Sequence, residues 1–249
     1  MMSKLWIAVA AVTALTGHAY AGNLVKVNYQ PATTPHELRV KNLIEQSGVT
    51  TEFEQIVDSY FPLDKQLRLI YGGIEGPLYD PQLHAMYVPY TFVGEALKYF
   101  SQHRAPELAE IGAIDTLMHT LLHEAGHALV FDNRIPVLGK EEDAVDNLAT
   151  LLMIKYVDEG AKAAINAATM FDYESQDGNA FYEYSEYIDE HSFELQRYFS
   201  TLCLVYGSNP QLFDELLDEI EQDSLQEKQQ TCVATYHDID DNWHYYLID

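Results

Sequence analysis

The chain has 249 residues, with 39 acidic against 14 basic side chains and a formal net charge of −25. So acidic a polymer repels phosphate backbones and anionic bilayers, which argues against nucleic acid as a partner. Apolar residues at 47% and aromatics at 12% exclude a disordered chain and suffice for a sizeable core.

The first 21 residues read as an export signal. Lys4 gives a positive start, Leu5 to Leu15 an apolar run, and Ala19-Tyr20-Ala21 a small-residue cleavage site. The run is short for a spanning helix, and no Cys near the cleavage point offers a lipid attachment. The expectation is a periplasmic or secreted bacterial protein, without stable membrane insertion, starting near Gly22. Residues 22–249 are expected to form a single domain, with an N-terminal lobe over 22–133 and a helical C-terminal lobe over 134–249. Cys203 and Cys232 both lie in the exported part, where an oxidising compartment favours a disulfide between them.

In chain order, residues 22–33 look extended, with Val25, Val27 and Tyr29 before Pro31. Helices are predicted over Pro35–Ser47 and Thr51–Tyr60, the second ending before Pro62. Leu67–Tyr71 reads as a strand entering Gly72-Gly73. His84–Phe92 reads as a second strand with Met86, Val88, Tyr90 and Phe92 alternating on one face. The Gly/Pro-rich loop between them predicts an antiparallel pair. A long helix starts near Pro106, a favoured first helical residue, and ends around Asp132-Asn133. Further helices are predicted from Glu142 to about Tyr156, Ala161–Phe171, Ser192–Tyr206, and from Asn209-Pro210 to about Asp223. Early strands and later helices give a helix-rich α+β fold.

The long helix carries His123-Glu124-Ala125-Gly126-His127. Imidazoles at i and i+4 lie about 40° apart around a helix and roughly 6 Å apart along it. Both can reach one tetrahedral Zn²⁺, and Glu124 beside them can act as general base on a water. A third ligand must come from elsewhere. One class of zinc peptidase takes it from a His six residues past the second, after a Gly at the third position. Those positions hold Asn133 and Val130 here, which removes that class.

Glu142-Asp143-Ala144-Val145-Asp146 follows on the next helix, separated from His127 by 14 residues. A Glu with an Asp at i+4 offers a third ligand and a carboxylate to orient a ligating imidazole. Glu142 with Asp146 fits that spacing best; Glu141 is the competing ligand.

These two motifs resemble the glutamate-zincin metallopeptidases, which include the thermolysin-like and the integral-membrane CAAX-type enzymes. The segment Glu142-x-x-x-Asp146-x-x-Ala149 is similar to the ExxADxxA pattern of the latter. The chain also resembles a bacterial family of predicted exported metallopeptidases. That likeness rests on HEAGH, Gly139-Lys140-Glu141-Glu142-Asp143, Asp189-Glu190-His191-Ser192 with Gln196-Arg197, and Cys203-Leu204-Val205-Tyr206-Gly207.

The resemblance implies a zincin-like fold, its small strand region packed on the HExxH helix. It implies one Zn²⁺ held by His123, His127 and Glu142, with Asp146 turned to an imidazole and Glu124 moving the water's proton to the leaving amine. It also implies a His or Tyr near the oxyanion. His191 is the candidate, with Arg197, Tyr184 and Tyr187 in reserve. The Tyr-rich run Phe181–Tyr187 is a possible cleft lining. His119, one turn before His123, is expected to pack behind the site and not to ligate. An exposed strand edge in front of the helix would hold an extended peptide. The function so implied is hydrolysis of peptide bonds in peptides or proteins. The alternatives are a zinc amidase acting on cell-wall peptides and a non-catalytic, zinc-stabilised binding or scaffold protein.

Overall fold

The computed structural model describes residues 23–177 and 182–248. The expected export signal lies outside the described residues, as does Phe181.

Strand β1 (Val25–Tyr29) is followed by helices α1 (Pro35–Ser47) and α2 (Val49–Tyr60), then by β2 (Leu67–Tyr71). The Thr34 hydroxyl accepts from the Glu37 amide and Pro35 occupies the first turn, so α1 starts where its orphan donors are satisfied. Two intervening helices are long enough for a crossover, and β1 and β2 pair in parallel, Val25 opposite Leu67 and Tyr29 opposite Tyr71.

The expected antiparallel pairing of Leu67–Tyr71 with the strand after it is not what forms. The chain reverses twice, once through Gly72–Pro77 into a short strand β3 (Leu78–Asp80) and again at Asp80–His84 into β4 (Ala85–Val88). Asp80 Oδ1 holds the second turn, accepting from the amides of Gln82 and Leu83. Two reversals restore the direction, so β4 runs parallel to β2 and the antiparallel partner of β4 is β3. The sheet order is β1-β2-β4-β3, which leaves β3 on an edge.

The strand predicted to Phe92 stops at Val88. Pro89 caps a helix, α3 (Tyr90–His103), absent from the sequence reading. The buried Tyr90, Val93, Ala96 and Phe100 show its helical spacing; Tyr90 and Phe92 fit the alternation by coincidence of period.

Helix α4 (Pro106–Asn133) is the spine of the molecule at 28 residues. Leu117, Leu121, Leu122, Ala125 and Leu129 are fully buried, and burial extends around the helix instead of along one stripe. Each such Leu stabilises the fold by about 1.5–3 kcal/mol. Around it pack α2, α3, α5 (Glu141–Tyr156) and α6 (Gly160–Asp177).

Helix α7 (Glu194–Ser208) lies against α6 and α5, and α8 (Gln222–His244) against α7. The helix predicted from Asn209-Pro210 to Asp223 does not form. That stretch holds only a 3-10 turn at Asp214–Leu217, and the helix begins where the prediction ended. α8 was illegible because its buried stripe, Cys232, Tyr236 and Trp243, is sparse among acidic and polar residues.

The Cys203–Cys232 disulfide joins α7 to α8 across a sequence separation of 29. Replacing both cysteines by Ala is expected to lower the unfolding free energy by about 2–4 kcal/mol. Urea titrations of the two proteins with identical midpoints would show that the crosslink contributes nothing.

Candidate metal centre

His123 and His127 leave α4 one turn apart and face the first turn of α5. Glu142 sits in that turn with its two oxygens divided between them. Oε2 is 3.1 Å from His123 Nε2, and Oε1 is 3.4 Å from His127 Nε2. The two Nε2 atoms are 3.3 Å apart. The competing ligand, Glu141, is placed differently: its Oε1 lies 2.8 Å from His127 Nδ1, on the outer side of the ring. Asp146 Oδ1 lies 2.7 Å from His123 Nδ1. Thus both rings have an acid behind them, and the sequence reading had found only one.

These outer carboxylates decide what the inner nitrogens can do. Asp146 also receives two bonds from Arg197, Nε to Oδ2 at 2.8 Å and Nη2 to Oδ1 at 3.0 Å, as only an ionised carboxylate would. His123 Nδ1 must therefore carry the hydrogen, and the same holds for His127 Nδ1 facing Glu141. In each neutral ring the Nε2 lone pair then points inward, at the other ring and at the Glu142 carboxylate. Three acceptors whose lone pairs meet at one point repel each other unless a cation lies between them. Their ligand atoms all lie within 4.8 Å of one another. A tetrahedron of about 2.0–2.1 Å bonds has edges of roughly 3.3 Å, close to the observed separations. The residues fit a divalent metal ion.

The electrostatics agree. Burial opposes ionisation of Glu142, yet the neighbouring imidazoles of His123, His127 and His191 hold its carboxyl far below the usual range. Burial likewise opposes ionisation of Asp146, and His123 and Arg197 overcome it. Burial disfavours charge on His123, but Asp146 and Glu142 outweigh it and lift the imidazole to about 9. The position between these groups attracts positive charge.

Glu124 lies beside the cluster, 6% exposed. Burial raises its carboxyl above the ordinary value, the imidazoles of His123 and His127 partly offsetting this. It faces a cleft of about 480 Å³. Pro77, and Leu78 and Tyr79 of β3, line it together with Phe131 and Glu190.

His191, in the loop before α7, also reaches this cleft. Its Nε2 lies 2.9 Å from Glu142 Oε2 and its ring stacks parallel to that of His123 at 6.3 Å. Lys140 Nζ donates to its carbonyl at 2.9 Å, tying the loop to the start of α5. The structure therefore brings His123, Glu124, His127, Glu142, Asp146 and His191 into one place.

The residues held in reserve for the oxyanion lie elsewhere. Arg197 is committed to Asp146 and covers the Phe171 ring at 3.9 Å. Tyr184 is 93% exposed, and Tyr187 packs edge-on to Phe193. Neither Tyr lines the cleft. His119 is buried behind His123, 3.4 Å from the Thr150 hydroxyl, and burial lowers its pKa to about 4. Sequence spacing could have suggested Glu141, which precedes Glu142, but nothing local marks Arg197 as the partner of an Asp 51 residues away.

A helix-rich α+β fold with a four-stranded mixed sheet carries a His-His-Glu cluster able to hold a metal ion. The chain belongs to the DUF4344 family, described as "putative metallopeptidase", whose model matches residues 29–247. That membership supports a metal-dependent peptidase, a hydrolase acting on peptides. No curated protein and no solved structure matches the chain. Among the described residues no helix is long and apolar enough to cross a membrane.

If Asp146 fixes the His123 tautomer, Asp146→Ala is expected to weaken metal binding roughly 10- to 100-fold. Competition with a chromophoric chelator measures this; unaltered affinity would reduce Asp146 to a packing role.

Proposed function

We propose that the protein is an exported zinc peptidase that hydrolyses peptide bonds with Glu124 as general base. The observation carrying this reading is the convergence of two tautomer-fixed imidazoles and one carboxylate beside a buried, cleft-facing glutamate. A two-nitrogen, one-oxygen donor set suits Zn²⁺ and leaves a fourth position open, as catalytic sites require. The disulfide fits an oxidising compartment outside the cytoplasm, consistent with the leader read from residues 1–21.

His123, His127 and Glu142 would hold the ion. When bound, it would supply Lewis acidity and a water acidified towards neutral pH. Glu124 accepts the proton of the attacking water and delivers it to the leaving amine; a carboxyl raised by burial is matched to that double task. His191 lines the same cleft beside Glu142 and donates towards the oxygen on which negative charge develops. Its pKa is raised, first by the Glu142 carboxylate and against the effect of burial, so it starts as a donor. Asp146 and Arg197 hold the His123 ring in register. The free edge of β3 can pair with an extended substrate backbone, setting it antiparallel or parallel along the cleft.

Cell-wall peptides would present the same amide chemistry, so purified peptidoglycan belongs beside casein and peptide libraries in any substrate survey. A purely structural ion has no use for a buried glutamate facing its cleft, which weighs against the scaffold reading.

Glu124→Gln is expected to keep stoichiometric zinc while lowering kcat by about 10²–10⁴. Elemental analysis and turnover on the same preparation test it, and undiminished turnover would sink the general-base role. His191→Ala is expected to lower kcat by roughly 10²–10³ with zinc retained. An unchanged kcat in that zinc-loaded variant would take His191 out of the chemistry.

A further inference from the structure

A second cavity, of about 160 Å³, opens beside the metal centre and shares Pro77, His123, Glu124 and His191 with the cleft. Phe92, Met170 and Phe171 give it apolar walls, and Glu174 of α6 lines it among them. Apart from Glu124 and the groups of the metal cluster, its other polar groups are already spent. Thr116 and Thr120 donate to α4 carbonyls, His119 is neutral near Thr150, and Arg197 clamps Asp146. Glu174 differs: among the described residues it has no hydrogen-bond or ion-pair partner. Burial, then the like charge of Glu194, pushes its carboxyl up to about 7. A half-buried carboxyl without a hydrogen-bond partner, set beside apolar walls, is free to pair with a cation that enters the cavity.

The surroundings say which sign that partner has. Glu174 also borders a neighbouring depression, of about 520 Å³, that contains Glu186, Asp189 and Glu194. Glu194 Oε2 is buried there without a hydrogen-bond partner, 3.7 Å from Arg197 Nη1. Among the described residues lining it, Arg197 is the one permanent cation, and it is already held by Asp146. An anionic ligand would be repelled. Apolar walls for methylene groups and a carboxylate for the head group suit a long basic side chain.

Resting on the peptidase reading above, we propose that the Glu174 cavity is a specificity subsite that takes the lysine or arginine side chain of a residue flanking the scissile bond. The cavity touches Glu124 and His123, so its occupant sits next to the reacting carbonyl and not several residues away. The charge of −25 on the whole chain draws the same class of peptide to the cleft.

The test is a binding measurement that needs no turnover. Zinc-loaded Glu124→Gln protein is titrated with fluorescent alanine-rich decapeptides that carry either one lysine or one norleucine, its neutral near-isostere. The lysine peptide is expected to bind at least about tenfold more tightly, as one charge-assisted bond implies. That margin should vanish in Glu124→Gln/Glu174→Gln. Equal affinities, or a preference that survives Glu174→Gln, would overturn the assignment. If Glu174→Gln fails to fold, the comparison of the two peptides on the Glu124→Gln protein still decides. Wild type should cleave the lysine peptide with a kcat/KM roughly tenfold above that of the norleucine peptide, at a bond next to lysine identified by product mass. Selective binding with cleavage of neither peptide would leave the subsite standing and remove the hydrolytic reading instead.

Discussion

The close approach of α4 and α5 governs where the His-His-Glu cluster can form. Gly126 lies between the two metal-facing imidazoles, on the face that α5 covers. A Cβ there would stand 3.0 Å from both Cβ and Cγ1 of Val145 and 3.4 Å from Leu148. The absent side chain lets α5 settle against α4 with its acidic first turn over the imidazoles. The pairing order then follows from antiparallel helices: Asp146 meets His123, Glu141 meets His127, and Glu142 lies between. Carboxylates in a first turn are also favoured by the positive end of the helix dipole, so the concentration of acid at the start of α5 suits the helix as well as the site.

A second frame holds the other side. Arg197 and His191 belong to α7 and the loop before it, and α7 is fixed in turn by α8. At Gly207 a Cβ would come within 2.3 Å of the Cys232 carbonyl oxygen, which puts the two helices almost backbone to backbone. The disulfide ties them in the same region, with Cα atoms 4.9 Å apart. Residues near the C-terminus thereby help to position a guanidinium that orients an imidazole on α4. The path is contiguous: Cys232, Cys203, α7, Arg197, Asp146, His123.

The local features of the site were legible because they depend on helix periodicity alone. HEAGH and Glu142-x-x-x-Asp146 each place two groups on one face whatever the surroundings. Glu141 and Arg197 were not legible in their actual roles, because each depends on how two helices dock and not on spacing within one. The fold shows the same division. α1 and α2 carry caps and breakers that mark their ends, and α4 carries a dense apolar pattern. Strand direction depended on counting reversals, and three residues of β3 are too few to show a period. α3 was hidden behind an alternation that happened to continue past Pro89, and α8 behind its acidic surface.

The distribution of charge links metal, mechanism and substrate. Around the inner nitrogens stand Glu124, Glu141, Glu142 and Asp146, more negative charge than Arg197 alone can balance. Without a metal ion, protons would take up the excess, and the imidazoles of His123, His127 and His191 are all shifted towards the charged form. Such protonated rings would no longer offer lone pairs. A divalent cation resolves the conflict by accepting those pairs and supplying two positive charges at the point where the field is strongest. What remains is a net negative wall from Glu174 to Glu194, lining the depression beside the cleft. A site built in this way can hold a cation, and on the proposed subsite can select a basic side chain, with the same excess of carboxylates.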